Sequence, residues 1–355
     1  MQALYGANFS TNTGNTTYFG TGGQFALDDN GHIAGSTLTA MATIWDAGGI
    51  DTFDFSNQTG AMLIDLYPGH FSSVGGIAEN IAVMTVVRNG AGAVVNLIEN
   101  AWGGSAADTI LGNTAGNQLL GNGGNDTLSG FGAGDTLSGG NAHDVLNGGA
   151  GNDSLDGGGG NDTLNGHGNN DTLDGFGGAD TLSGGLGLDS LNGGADADRL
   201  SGDAGADTIY GGPGNDTIYG GANADVIYGD ANDDHIYGGT AKDVMTGGLG
   251  ADTFFFGLND FGINLRAGAD RIVDFTSAQG DLIDLSAIDA RTNVAGNNAF
   301  SWIGNAAFGN VSGQLRYVVD AGNTYVEGDR NGDGLADFAI RLDGIVALAG
   351  TDFVL

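Results

Sequence analysis

Between residues 103 and 255 an acid returns every nine residues. The column runs Asp108, Asn117, Asp126, Asp135, Asp144, Asp153, Asp162, Asp171, Asp180, Asp189, Asp198, Asp207, Asp216, Asp225, Asp234, Asp243 and Asp252, with Asn117 the one amide. Each member belongs to a Gly-Gly-x-Gly-x-Asp-x-(apolar)-x unit, written seventeen times without a slip. The clearest copies start at Gly148 and Gly211. A nonapeptide of this pattern is a Ca²⁺-binding solenoid signature. The chemistry follows from the residues. Asp places a hard carboxylate on a short arm, and glycine turns expose carbonyls. Two carboxylates and several carbonyls make an oxygen cage of six or more ligands, which suits Ca²⁺. Mg²⁺ suits it less, because it prefers an octahedron that keeps several waters. The chain has no Cys and no His at repeat spacing, which argues against a soft-metal site.

The elements that must position these acids can be read from the other columns. The first column is Gly throughout, from Gly103 to Gly247, and the fourth is Gly, Asn, Asp or Ala. Gly reaches positive φ at no steric cost, and Asn and Asp tolerate it. The first half of each unit is therefore expected to be a tight turn. The eighth column is always apolar, from Ile110 to Met245 and Phe254. Residues six to nine are expected to form a short strand, with the eighth pointing inward and the seventh and ninth outward. Two units then make one coil, and turn n lies over turn n+2. Seventeen turns offset by two leave fifteen stacked pairs for cations. The weakest should involve Asn117 and the fourth-column alanines Ala106, Ala115 and Ala133. The core is thin, the chain rich in glycine, and stacked acids repel until a cation lies between them. The segment is expected to be largely disordered without Ca²⁺ and to fold on binding it. A flexible linker would have no reason to keep a ninefold apolar column. A metal-free solenoid is the other reading.

Composition agrees. Of 355 residues, 43 are acidic and nine are Lys or Arg, for a net charge of −34. Fifteen Ca²⁺ ions would bring roughly +30, close to balance. Nucleic-acid binding needs clustered basic residues, which are absent here. No apolar run approaches a membrane span. The thin core and Ca²⁺ imply an extracellular setting, without disulfides. Residues 1–10 lack the basic start and apolar core of a signal peptide. Residues 1–102 alternate apolar and polar residues between turns, as in 51–55, 61–66 and 81–87, and read as short strands. Residues 256–355 continue the pattern at 270–275 and 281–285, and are expected to cap the repeat segment of 103–255.

One loop near the C-terminus carries its own metal pattern. Asp329, Asn331, Asp333 and Asp337 stand at positions 1, 3, 5 and 9 of D-x-N-x-D-G-x-x-D, with Gly334 at 6 and Ile340 where a Glu would close a helical calcium loop. The flanks read as strands, so this is either a hairpin calcium loop or a plain polar turn.

Several stretches resemble a known family. They are Leu4-Tyr5-Gly6-Ala7-Asn8, the segment 45–56 from Trp45 to Ser56, Ile98-Glu99-Asn100-Ala101-Trp102 and Asp333-Gly334-Leu335-Ala336-Asp337-Phe338. Together they resemble the C-terminal region of serralysin-type secreted metalloproteases, bacterial proteins with these glycine-rich repeats, over essentially the whole chain. The resemblance implies an all-β fold: a right-handed parallel β-roll flanked by short β-strand segments. It implies that Asp46, Asp51 and Glu99, with the carbonyls of Gly48 and Gly49, are Ca²⁺ ligands. The family usually has a basic residue and an Asp where this chain has Asn12 and Asn15, which speaks against the first Ca²⁺ site. It also implies export from a Gram-negative cell by a type I machine that reads an uncleaved C-terminal signal. Asp352-Phe353-Val354-Leu355 fits that signal, or is simply a last strand. The zinc peptidase is not in this sequence: none of His32, His70, His143, His167 and His235 is followed by Glu, and no two are four apart. In the family the stretch 4–8 follows the catalytic domain, so the chain is expected to be a fragment, a split gene or a protein that shed its enzyme half. The reading is a secreted calcium-binding module, non-catalytic as it stands. Its rivals are the C-terminal part of a zinc metalloendopeptidase, and an adhesive or structural spacer with a polysaccharide or cell-surface partner.

Overall fold

In a computed structural model, the structure describes residues 52–56, 58, 60–66, 98–261 and 265–355, and the backbone of the strands at 17–18, 42–44, 71–74 and 77–83. The fold is an all-β parallel solenoid. Among the described residues the only helical turns are two short 3-10 segments, Leu265–Ala267 and Gly350–Asp352. The chain forms two compact units, residues 1–181 and 182–355.

In the first unit, one sheet runs in parallel through Thr17–Tyr18, Thr52–Asp54, Asn100–Trp102, Gln118–Gly123, Thr136–Asn141, Ser154–Gly159 and Thr172–Gly177. The other takes Leu63–Asp65, Thr109–Asn113, Thr127–Gly132, Val145–Ala150 and Thr163–Gly168. Strands Phe71–Val74 and Ile77–Val83 extend it in antiparallel fashion. Within the repeats each residue pairs with the one eighteen further on, as Leu128 does with Leu146. That register is two nonapeptides per coil, as the spacing predicts.

In the second unit, one sheet contains Ser190–Asn192, Thr208–Pro213, Val226–Ala231, Val244–Leu249, Arg271–Ile272 and Phe338–Leu342 in parallel. Asn323–Asp329 and Gln314–Asp320 then add antiparallel. The other has Arg199–Ala204, Thr217–Ala222, His235–Thr240, Thr253–Phe255, Leu282–Asp284 and Phe353–Val354.

The eighth-column side chains are buried from Ile110 to Phe254. Two details differ from the sequence expectation. The strands are six residues long and run from the seventh column to the third of the next unit, as in Thr127–Gly132. The second difference concerns glycine. Positive φ falls on the second and fourth columns, as at Phe131 (77°), Ala133 (73°) and Gly151 (139°). The first-column glycine lies in the strand and faces inward. It is required by space: a Cβ at Gly211 would sit 2.5 Å from Asp216 Oδ2 and 2.7 Å from the Gly229 carbonyl oxygen.

Candidate metal centre: the stacked aspartates

The sixth-column acid sits just before each strand, where the chain turns in from the glycine loop. Every Asp of the column is at most 3% exposed. Successive coils are tied through it. The Asp126 N–H donates to Asp144 Oδ1 at 2.7 Å, and the Asp126 carbonyl accepts from Val145 N–H at 2.9 Å. The same bond joins Asp135 to Asp153 and Asp144 to Asp162 in the first unit. In the second it joins Asp207 to Asp225 and Asp216 to Asp234.

One oxygen of each acid is therefore spent on structure. The other is not. The Oδ2 atoms of Asp126, Asp135, Asp144, Asp153, Asp162, Asp207, Asp216, Asp225, Asp234, Asp243 and Asp252 are buried and accept no hydrogen bond. A buried polar atom left unsatisfied is costly and rare; eleven in register point to a missing positive partner. Burial pushes these carboxyls up against the lowering effect of the backbone N–H, and at Asp126, Asp135, Asp144, Asp207, Asp225, Asp234 and Asp252 neighbouring acids of the ladder add to the rise. Asp126, Asp135 and Asp225 rise to about 7 and Asp234 to about 8. Asp144, Asp207, Asp216, Asp243 and Asp252 rise to about 6. A divalent cation beside Oδ2 would reverse that logic by stabilising the ionised form. Among the described residues no three His, Cys, Asp or Glu side chains converge on one point. A cation here would take its remaining ligands from backbone carbonyls, the donor set expected of Ca²⁺.

Asn117 keeps the backbone link to the next coil but not the Oδ1 link to the one before. Its Oδ1 accepts from Asn113 N–H at 2.8 Å, and its N–H donates to Asp135 Oδ1 at 2.7 Å. Its amide nitrogen donates to the Glu99 carbonyl at 2.8 Å, so this side chain brings no carboxylate to the stack. Two members of the ladder are missed by the repeat pattern. Asp243 N–H donates to Asp270 Oδ1 at 3.0 Å, and Asp252 N–H to Asp281 Oδ1 at 3.2 Å. Burial drives Asp270 up to about 8. The available signal was the Asp-x-(apolar) triplet in Asp270-Arg271-Ile272 and Asp281-Leu282-Ile283, stripped of its glycines.

The loop at 329–337 joins two antiparallel strands, so it is a hairpin loop. Buried Asp329 accepts from Gly332 N–H at 2.6 Å and Gly334 N–H at 2.9 Å. Asp337 accepts from Arg330 N–H at 2.6 Å and from the Asn331 amide at 2.9 Å, and Asn331 from Asp333 N–H at 2.8 Å. The four side chains are brought onto one turn. Of the other candidates, Glu99 is half-buried next to the strand at 100–102, while Asp46, Gly48, Gly49 and Asp51 lie outside the described residues. His143 accepts from Asn161 N–H at 2.6 Å on the surface, His167 is exposed near the end of the strand Thr163–Gly168 with a positive φ of 77°, and His235 is exposed on a strand. No helix among the described residues is long and apolar enough to cross a membrane.

Comparison with known proteins points to one family. A family model described as Peptidase M10 serralysin C terminal matches residues 7–355. Serralysin B of Dickeya chrysanthemi is 41% identical over 112 residues, covering 31% of this chain and 21% of that protein. Metalloprotease AprA of Pseudomonas entomophila is 39% identical over 113 residues, or 32% and 21%. The match thus spans about a fifth of the length of these relatives. Among solved structures, the AlgE6R3 subunit of an Azotobacter vinelandii mannuronan C5-epimerase aligns with 50% of this chain and 79% of its own, at 26% identity and a TM-score of 0.28.

Proposed function

Since the chain belongs to the Peptidase M10 serralysin C-terminal family, we propose that it is the calcium-binding module of a secreted protein and folds on Ca²⁺ after export. The observation that carries this is the register of buried Oδ2 atoms without a donor. The side chains that would hold the ions are the Asp column of 103–255, continued by Asp270, whose Oδ2 is likewise buried without a donor. The hairpin acids Asp329, Asp333 and Asp337, with Asn331, would hold another. So would Asp46, Asp51 and Glu99 with the Gly48 and Gly49 carbonyls, on the strength of the resemblance. The ions would supply the positive charge that lets ionised acids stack. Without that charge the deficit of a thin core is not made up, so binding energy becomes folding energy. Residues 103–255 are the calcium-binding segment in this reading, 1–102 its β lead-in and 256–355 its cap.

Low cytosolic Ca²⁺ would keep the chain threadable, and high external Ca²⁺ would fold it outside. The export address is the type I C-terminal signal at Asp352–Leu355. The decisive experiment is a Ca²⁺ titration of the EGTA-stripped chain followed by far-UV circular dichroism, with Mg²⁺ as control. A cooperative gain of strand signal with Ca²⁺ alone supports the reading. A full strand signal in EGTA at neutral pH sinks it.

A second reading concerns the whole protein. The chain spans only about a fifth of relatives named as metalloproteases, which supports its being the non-catalytic part of a zinc metalloendopeptidase. Sequencing upstream of Met1 in the genome tests this: an in-frame His-Glu-x-x-His would establish it, and an upstream stop codon would reject a fused enzyme.

A further inference from the structure

The second unit carries a cavity lined by none of the acids of the column. It measures about 430 Å³ and is half open to solvent. Its walls include Tyr237, Phe255, Asp260, Asp284 and Ser286. Three rings form a ladder that ends here. Tyr219 stacks on Tyr237 at 4.6 Å, and Tyr237 on Phe255 at 4.3 Å, with planes within 11° of parallel. On the next strand the residue paired with Phe255 is Asp284. The ladder therefore stops with a carboxylate where a fourth ring would stand.

From this juxtaposition we infer that the cavity is a binding site for an organic ammonium group, such as a lysine side chain or a free aliphatic amine. The two carboxylates give the lining a charge of −2, and no Lys, Arg or His is among its described residues. Burial raises the Asp260 carboxyl, so an incoming cation would meet an acid that lacks full solvation. The polar side chains of the wall are rich in acceptors, with only the Tyr237 and Ser286 hydroxyls to donate. An ammonium group is donor-only and matches that inventory. A neutral sugar needs donors as well, and a uronate would be repelled. The aromatic edge adds cation–π attraction and a surface for the aliphatic stem. The formal charge of −34 would further concentrate cations near the opening.

The test uses the full chain in millimolar Ca²⁺, with its strand signal verified first. Binding of n-butylamine and of Nα-acetyl-lysine methylamide is read by saturation-transfer NMR, with Nα-acetyl-norleucine methylamide as the neutral isostere. Both amines should bind and the isostere should not. Asp260→Asn with Asp284→Asn keeps acceptors for Gly257 N–H and Ser286 N–H and should weaken the amines about tenfold. Phe255→Leu should weaken them independently. Tighter binding of the lysine derivative than of butylamine marks a peptide as the source, and equal binding marks a free amine. The inference is overturned if the isostere binds equally well. It is also overturned if the double amide changes nothing, or if methyl glucoside binds in place of the amines.

Discussion

A single Cβ separates two classes of glycine in this chain. At Gly211 it would collide with Asp216 Oδ2 and the Gly229 carbonyl, the oxygens that face the column. At Gly123, in the third column, nothing lies within 4 Å. Gly211→Ala should therefore destabilise the calcium-loaded chain by about 1–3 kcal/mol, as overpacking does. Gly123→Ala should be neutral or stabilise by up to about 1 kcal/mol through the unfolded state. Urea unfolding in Ca²⁺ reads both, and equal effects would refute the steric account. The acids give a second prediction at this scale. Their folded values, about 6 to 8, lie above the unfolded value near 3.9. Protonation therefore favours the metal-free fold: the contribution is fully present below pH 4 and is lost as pH rises through 6 to 8. In EGTA, strand signal should grow as pH falls from 8 to 5, and Ca²⁺ affinity should fall over the same range. A metal-free chain equally unfolded at both pH values would contradict this.

At the scale of the element, each turn is half of a shared site. Asp153→Asn keeps the Oδ1 that accepts from Asp135 N–H at 2.7 Å and loses only charge at Oδ2. Calorimetry should show one or two fewer Ca²⁺ ions bound, with the strand signal unchanged at saturation. Loss of the fold would show that the acid is structural beyond its metal role. The hairpin loop separates in the same way. Asp329 holds two backbone N–H groups from a buried position, so Asp329→Ala should cost the calcium-loaded fold about 1–3 kcal/mol. Asp333 accepts only from the Leu335 N–H, so Asp333→Ala should spare the fold and lower Ca²⁺ stoichiometry by one. If stoichiometry stays the same, the loop is a polar turn.

At the scale of the molecule, the last residues are part of the fold. Phe353 and Val354 pair with Ile283 and Asp284, and Asp352 and Phe353 are buried. An export machine that reads this terminus must do so before folding. Chains folded in Ca²⁺ should fail to engage the exporter in a reconstituted assay, whereas EGTA-treated chains should engage it; equal engagement would exclude this terminus as the address. Deleting 352–355 should also loosen the strand Leu282–Asp284, seen as faster amide exchange there.

The ninefold spacing is enough to determine the parallel coil, the buried eighth column and the acid ladder. A repeat of fixed length gives every unit the same neighbours, so one unit describes them all. The strands at 52–54 and 63–65 were legible from alternation for the same local reason. Only the tertiary structure decided why the first glycine cannot change, since its constraints are the folded-in aspartate of its own unit and a carbonyl of the next coil, not its own φ. It also decided that Asp270 and Asp281 join the ladder across gaps of 27 and 29 residues, where the spacing breaks. The cavity beside Phe255 is likewise tertiary, because its walls come from three separate segments brought together only by coil stacking.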